Sequence, residues 1–365
     1  MKINKKIIII SSSILGLLLL VGVYYLYSFY VPRNVIASKS PDVSFAPLVI
    51  SAGNGDWWKE TNSPFQQQSP LNTLLQTSQK GTNTPTISTP TQVPENILPS
   101  PTIFMDDSTY SSDFIHINIE KISKNNSQGK PVKIYIADVR LRDARFLYTA
   151  LAKDQFGTNV VEEFNVIAQN NNAIFAVNGD FYGWTSRVSG KLIRNGTIYR
   201  DIAWNEMLAF YTSGDMKTYN EQDVDLQQLK NNGVFQSFSY GPSLVKDGVL
   251  VKDFSYYKVD HGPIRNGFPD RNAIYAENPR TGVGMIAPNH FIFIVVDGRQ
   301  PGYSEGLNLD DFAKLFFDKG CKEAYNLDGG VSSAMYLNGK IISHPPFKAG
   351  ESREMSDIIY VKDGM

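Results

Sequence analysis

Three apolar runs in this chain end in the same way, in an acid flanked by glycine. Residues 173–177 lead into Asn178-Gly179-Asp180, residues 290–296 into Asp297-Gly298-Arg299, and residues 324–327 into Asp328-Gly329-Gly330-Val331-Ser332-Ser333. Short apolar runs closed by turn residues read as buried strands. One Asp-Gly pair marks nothing more than a hairpin. Three at strand ends constrain the fold further, because acids so placed can converge on one side of a sheet, where ligands commonly sit. Gly329 and Gly330 would let the backbone approach a ligand closely and offer bare N–H donors.

The rest of the chain divides by composition. Residues 7–30 form the one long apolar run, long enough at about 1.5 Å per residue to cross a bilayer core of about 30 Å. Lys2, Lys5 and Lys6 precede it and Arg33 follows. The charge bias places the N-terminus in the cytoplasm and the remainder outside. A cleaved signal peptide is the rival reading, but the run is longer than a signal's apolar core and no small-residue cleavage site follows it directly. Residues 1–33 are therefore expected to be a cytoplasmic stub and uncleaved single-pass anchor in the cell membrane, with an extracellular domain beyond. Residues 34–111 are dominated by Pro, Gln, Ser and Thr, lack apolar periodicity, and read as an extended spacer.

The folded domain is expected over 112–365. Asn195-Gly196, Gly214-Asp215, Asp247-Gly248 and Asn338-Gly339, each between apolar flanks, predict hairpins. Asp143 is expected to cap a helix carrying Phe146, Leu147, Ala150 and Leu151, and a second helix should hold Phe164, Ile167 and Ala168. Asn308, with Asp310 and Asp311 behind it and Gly320 beyond, brackets a third. Strands outnumber helices, giving an α+β domain on one mixed, largely antiparallel sheet with flanking helices. The formal net charge of −1 argues against a nucleic-acid partner. The single cysteine, Cys321, reads as a buried small hydrophobe. Four histidines in no ligand spacing give no reason to expect a metal, and no cofactor is expected.

Six motifs occur in an order that carries a resemblance: Asn178-Gly179-Asp180-Phe181-Tyr182, Arg194-Asn195-Gly196, Tyr240-Gly241-Pro242, Asn278-Pro279-Arg280-Thr281, Val296-Asp297-Gly298-Arg299 and Asn326-Leu327-Asp328-Gly329-Gly330-Val331-Ser332-Ser333, with residues 353–358 closing the series. The chain resembles the phosphodiester glycosidases, the family of the N-acetylglucosamine-1-phosphodiester alpha-N-acetylglucosaminidase catalytic domain, especially its bacterial exopolysaccharide-associated members. The likeness runs over about 114–361. Val331 stands where that family usually has a third glycine, and a β-branched residue is tolerated there only if the backbone does not need a positive φ.

The resemblance implies hydrolysis of a sugar-1-phosphodiester on a surface glycan or polymer at the anomeric carbon, releasing free sugar and a phosphomonoester. A phosphate ester leaves as a stable anion, so a cationic cradle matters more than a strong general acid. Arg194, Arg271, Arg280, Arg299 and Arg353 are available for it, with Asn178, the amides of Gly329 and Gly330, and the hydroxyls of Ser332 and Ser333 assisting. An acid must act as nucleophile or as base for water while the ring becomes oxocarbenium-like. Asp180 and Asp328 are the first candidates. Asp297 is the third, holding an arginine or a sugar hydroxyl, or only a turn salt bridge with Arg299. Two rival readings are a non-catalytic surface module that binds glycan and a metal-dependent phosphoesterase using the three aspartates.

Overall fold

The computed structural model describes residues 16–24, 26–27, 31–37, 103–180, 189–257, 275–345 and 353–363. Phe181, Tyr182 and Arg271 lie outside these residues, as does most of 7–30. Among the described residues no helix is long and apolar enough to cross a membrane. Residues 16–24 are helical, with Leu17, Leu18, Leu19 and Leu20 exposed by 63%, 62%, 63% and 69%.

Three sheets surround one core. The largest has nine strands in the order Val249–Leu250, Ser243–Lys246, Glu323–Asn326, Arg280–Ala287, His290–Val296, Pro131–Leu141, Ile115–Asn125, Thr109–Ser111 and Phe104–Met105. A second runs Thr197–Ile202, Gly190–Arg194, Val234–Phe238, Glu206–Tyr211 and Met216–Asn220. The third runs Lys340–Ile341, Met335–Leu337, Phe175–Asn178, Asp357–Val361 and Leu147–Leu151. Two small ribbons pair Arg33–Ala37 with Gln155–Thr158 and Glu354–Met355 with Glu162–Glu163. Pairing is antiparallel throughout the described residues, so the mixed single sheet expected from the sequence is replaced by several antiparallel ones. The large sheet also begins at Phe104, upstream of the expected start at 112.

The period-two rule explains how strands with almost no polar residues fit this plan. In His290–Val296, Phe291, Phe293 and Val295 face the central core, while Ile292, Ile294 and Val296 pack with Phe312 and Phe316 of the helix Leu309–Asp318. Glu206–Tyr211 divides likewise, sending Leu208 and Phe210 inward and Met207 and Ala209 toward Leu226 and Leu229 of the helix Leu226–Asn231. In Phe175–Asn178, Phe175 and Val177 point inward, and Ala176 meets Phe164 and Ile167 of the helix Phe164–Asn170. Each sheet is thus buried on both faces, with a helix outside and the shared core inside.

The helix signals at Asn308 hold: its side chain accepts from the Asp311 amide at 2.8 Å, and Gly320 turns the chain with φ of 80°. The Asp143 expectation does not. Asp143 caps only a single turn, Ala144–Phe146, and Leu147–Leu151 is a strand paired residue for residue with Asp357–Val361. The local pattern fitted a helix, but a partner distant in sequence supplied the ladder, and tertiary pairing overrode it. The expected Asn-Gly and Asp-Gly hairpins form, with Asn195, Asp247 and Asn338 in the left-handed region that such turns require.

Candidate active site

The site lies where the ends of the three sheets meet. After Glu323–Asn326 the chain leaves the large sheet, turns through Asp328 to Ser333, and enters the third sheet at Met335–Leu337. Asn178 fastens this crossing from the neighbouring strand. Its Nδ2 donates to the Asp328 carbonyl at 2.7 Å, and its Oδ1 accepts from the Thr281 hydroxyl at 2.7 Å and the Ala334 amide at 3.2 Å. Asn178 is therefore a strut of the turn, its oxygen committed within the protein. Gly330 adopts φ of +64°, which glycine tolerates, while Val331 is not among the described residues with positive φ. The β-branched side chain sits there without backbone strain.

Asp180 is buried beside Asp357, the first residue of the strand Asp357–Val361, which carries no glycine-flanked motif. Asp357 accepts the Asp180 amide at 2.8 Å and Nε of Arg194 at 2.7 Å, with Arg194 Nη2 in an ion pair with it at 2.7 Å. The Asp180 carboxylate lies 3.6 Å from Arg194 Nη2 and accepts the Ser239 amide at 2.8 Å. Arg194 also donates to the Ile193 and Ser237 carbonyls and lies 4.2 Å over the Phe238 ring. This acid–arginine–acid group joins the second and third sheets. Gly179 makes the close approach possible, since a β-carbon there would stand 2.4 Å from Asp357 Oδ1. Burial pushes the Asp357 carboxyl up to about 6, opposed by Arg194 and assisted by the charge of Asp180.

Asp328 is likewise pushed up to about 6, first by loss of water. The Ser332 hydroxyl, the Arg353 charge and the Gly329 amide pull it down, and Asp180 pushes it up. Asp180 thus acts electrostatically on both Asp328 and Asp357, with Arg194 as the cation beside Asp180 and Asp357 and Arg353 as the one acting on Asp328. A carboxyl held near 6 by burial suits proton transfer at neutral pH.

The other expected residues divide. Arg299 is exposed, adopts φ of 57°, and is held by Asn278 Oδ1 at 3.0 and 2.8 Å; its guanidinium would lie 3.3 Å from a β-carbon at Gly330. It therefore lies against the Asp328–Ser333 turn. Arg280 is buried and donates to the Leu307 and Ala276 carbonyls, each at 3.0 Å. Desolvation lowers its pKa to about 10, with Tyr240 opposing and Arg299 adding to the shift. It remains a cation at neutral pH, close enough to Arg299 for the two to repel.

The amides of Gly329 and Gly330, expected to be open to a phosphate, are engaged within the turn: Gly329 with Asp328, and Gly330 with the Pro279 carbonyl at 2.9 Å. Ser332 serves Asp328, whereas the buried Ser333 hydroxyl has no hydrogen-bond partner among the described residues. Asp297 does not pair with Arg299. Its carboxylate accepts the His344 amide at 2.9 and 3.1 Å and the Tyr303 hydroxyl at 3.1 Å, and burial raises its pKa. It fastens the segment around His344. Among the described residues no group of three or more His, Cys, Asp or Glu has the arrangement of a metal site.

The chain is similar to known proteins in family and in fold. The phosphodiester glycosidase family profile matches residues 171–362, just over half of the 365 residues and all of the acids above. The SPbeta prophage-derived uncharacterized protein YomE of Bacillus subtilis strain 168 is 30% identical over 196 residues, covering 52% of this chain and 28% of that protein. The chain therefore spans little more than a quarter of that relative's length. In fold, the chain is similar to the zebrafish N-acetylglucosamine-1-phosphodiester alpha-N-acetylglucosaminidase catalytic domain, solved in a form auto-inhibited by its pro-peptide. The TM-score is 0.53 at 21% identity, over 69% of this chain and 84% of that one. With the motifs, the sheet architecture and the family match in agreement, this chain belongs to the phosphodiester glycosidase family.

Proposed function

We propose that the protein is a membrane-anchored, extracellular hydrolase that cleaves a sugar-1-phosphodiester of the cell surface at the anomeric carbon, giving free sugar and a phosphomonoester. The observation that carries this reading is the meeting of Asp180, Asp328 and Asp357 with Arg194 and Arg353 at the junction of the sheets. Arg299, lying against the Asp328 turn, is the exposed guanidinium suited to a phosphate. The departing phosphomonoester needs charge neutralisation more than a proton, which leaves an acid free to act on the other face of the sugar. Asp328 is our choice for that acid. At pH 7 a carboxyl with a pKa of about 6 is roughly nine-tenths ionised, enough to serve as base or nucleophile. Asp180 assists it from the Arg194 pair, and Asp357 positions Asp180 through its amide.

The apolar run 7–30 and the exposed leucines of residues 16–24 support the anchor, and the lysines before the run support an extracellular domain. The test is to incubate the full-length protein in detergent with a panel of sugar-1-phosphodiesters and score reducing sugar and phosphomonoester. Solvent-oxygen labelling of the sugar supports cleavage at the anomeric carbon. Labelling of the phosphate would instead establish phosphoesterase chemistry and overturn the proposal.

A further inference from the structure

The strand that follows the apolar run is docked on the domain. Arg33–Ala37 pairs with Gln155–Thr158, Arg33 opposite Thr158 and Ala37 opposite Gln155. Asn159 Nδ2 donates to the Val31 carbonyl at 3.2 Å, extending the contact toward the run. The fit is close: a β-carbon on Gly157 would lie 3.0 Å from the Arg33 carbonyl oxygen and 3.1 Å from Val35 Cα on the docked strand, and 3.0 Å from Cγ2 of the buried Val160 behind it. A spacer free over 34–111 would let the domain range roughly 50 Å from its anchor. Pairing that begins at Arg33 removes that freedom at its first residues.

Sheet pairing ties the docking point to the strand pair that carries Asp357. Ala37 is opposite Gln155, four residues after Leu151, which is opposite Asp357. Two cross-strand steps of about 5 Å and four residues of at most about 14 Å put the Ala37 and Asp357 α-carbons within about 25 Å. A second route agrees: Arg33 is opposite Thr158, four residues before Glu162, which is opposite Met355. Phe156 of this ribbon also packs on Tyr199, with ring centroids 5.2 Å apart, on the strand that pairs with the Arg194 strand. The ribbon therefore leaves the third sheet at the end that carries Asp357, the end where the acids gather.

We infer that the Arg33–Ala37 strand holds the acids of the site close to the bilayer surface, so that the substrate is a sugar-1-phosphodiester whose phosphate is esterified to a membrane lipid. This rests on the hydrolase and anchor readings above. The probes are the hexadecyl diester of N-acetylglucosamine 1-phosphate in phosphatidylglycerol vesicles that also carry the full-length protein, and the soluble methyl diester of the same sugar phosphate. Two variants undock the strand without touching the acids: Gly157→Leu, and Val35→Pro, which leaves residues 103–365 unaltered.

The expected result is at least tenfold faster release of sugar from the hexadecyl than from the methyl diester. Both variants should cut that ratio at least fivefold while keeping methyl-diester turnover. Equal rates on the two esters in the parent protein, or a ratio that neither variant alters, would overturn the inference. Cleavage of neither ester would sink the hydrolase reading instead. Energy transfer from a dye at Ile202→Cys to a head-group acceptor then decides the docking: transfer that falls in both variants supports it, and transfer unchanged by either refutes it. Ile202 is 53% exposed and the native Cys321 is buried, so the dye takes one position. Failure of the full chain to enter vesicles would refute the anchor reading and this inference together.

Discussion

Replacing Asp328 by asparagine should make the protein more stable at neutral pH while removing its activity, and the two effects share one cause. Loss of water is the largest influence on the Asp328 carboxyl, raising it from 3.8 to about 6. Between those values the unfolded chain has released the proton and the folded chain still holds it. Rising pH therefore draws the equilibrium toward unfolding. Below 3.8 both states are protonated and the penalty is absent; above about 6 it is complete. A shift of about two units corresponds to at most about 3 kcal/mol. Asp328 is part-exposed, and the remaining water reduces this to about 1–2 kcal/mol.

Asparagine has no proton to release over this range and keeps one oxygen for the Ser332 hydroxyl and the Gly329 amide. Urea unfolding of parent and Asp328→Asn between pH 4 and pH 7.5 should give curves that coincide near pH 4. They should separate by about 1–2 kcal/mol at neutral pH, with the variant the more stable. The burial of Asp357 tilts both curves alike and drops out of the difference. Turnover should fall about 10²–10⁴-fold, the usual loss on removing a general acid or base, and the parent's rate should rise with pH through about 6. A variant that is less stable at pH 7, or a stability difference that does not vary with pH, would refute the assignment of a desolvated, proton-holding carboxyl.

Gly179→Ala would place a β-carbon 2.4 Å from Asp357 Oδ1, so it should displace that carboxylate, cost about 1–3 kcal/mol, and lower turnover more than substrate affinity; calorimetry and steady-state kinetics check both. Arg194→Met would leave Asp180 and Asp357 buried without their cation and should cost about 3–5 kcal/mol in urea unfolding, with part recovered in the double variant that also carries Asp357→Asn. Cys321, whose thiol burial pushes up to about 12, should resist thiol reagents in the native protein and react at the rate of unfolding.

The strands whose side chains alternate between two buried faces were legible as apolar runs, and so were the turns closing them. Asn195-Gly196 and Asn338-Gly339 specify left-handed backbone through local sterics alone. Asn308 was readable as a cap for the same reason, because its partner is the amide of Asp311, three residues away. Asp180 and Asp328 were found because glycines mark their strand ends. Asp357 carries no such mark. It opens an otherwise apolar strand, and only the pairing of that strand with Leu147–Leu151 and Phe175–Asn178 brings it to Arg194 and the Asp180 amide.

Local chemistry along the chain sets the strands, the sharp turns and the types of residue at their ends, because these depend on side-chain period and on the steric needs of neighbouring residues. Tertiary structure alone decided the roles. Asp297, equal to the other acids as a motif, is used to hold His344, while Asp357 becomes part of the site. The Gly329 and Gly330 amides that looked open are engaged by Asp328 and Pro279. The segment read as a spacer begins with a strand docked on Gln155–Thr158. In each case the deciding partner is far away in sequence. Hydrogen bonds and the loss of water around a charge depend on which atoms arrive in space, and no local pattern encodes that.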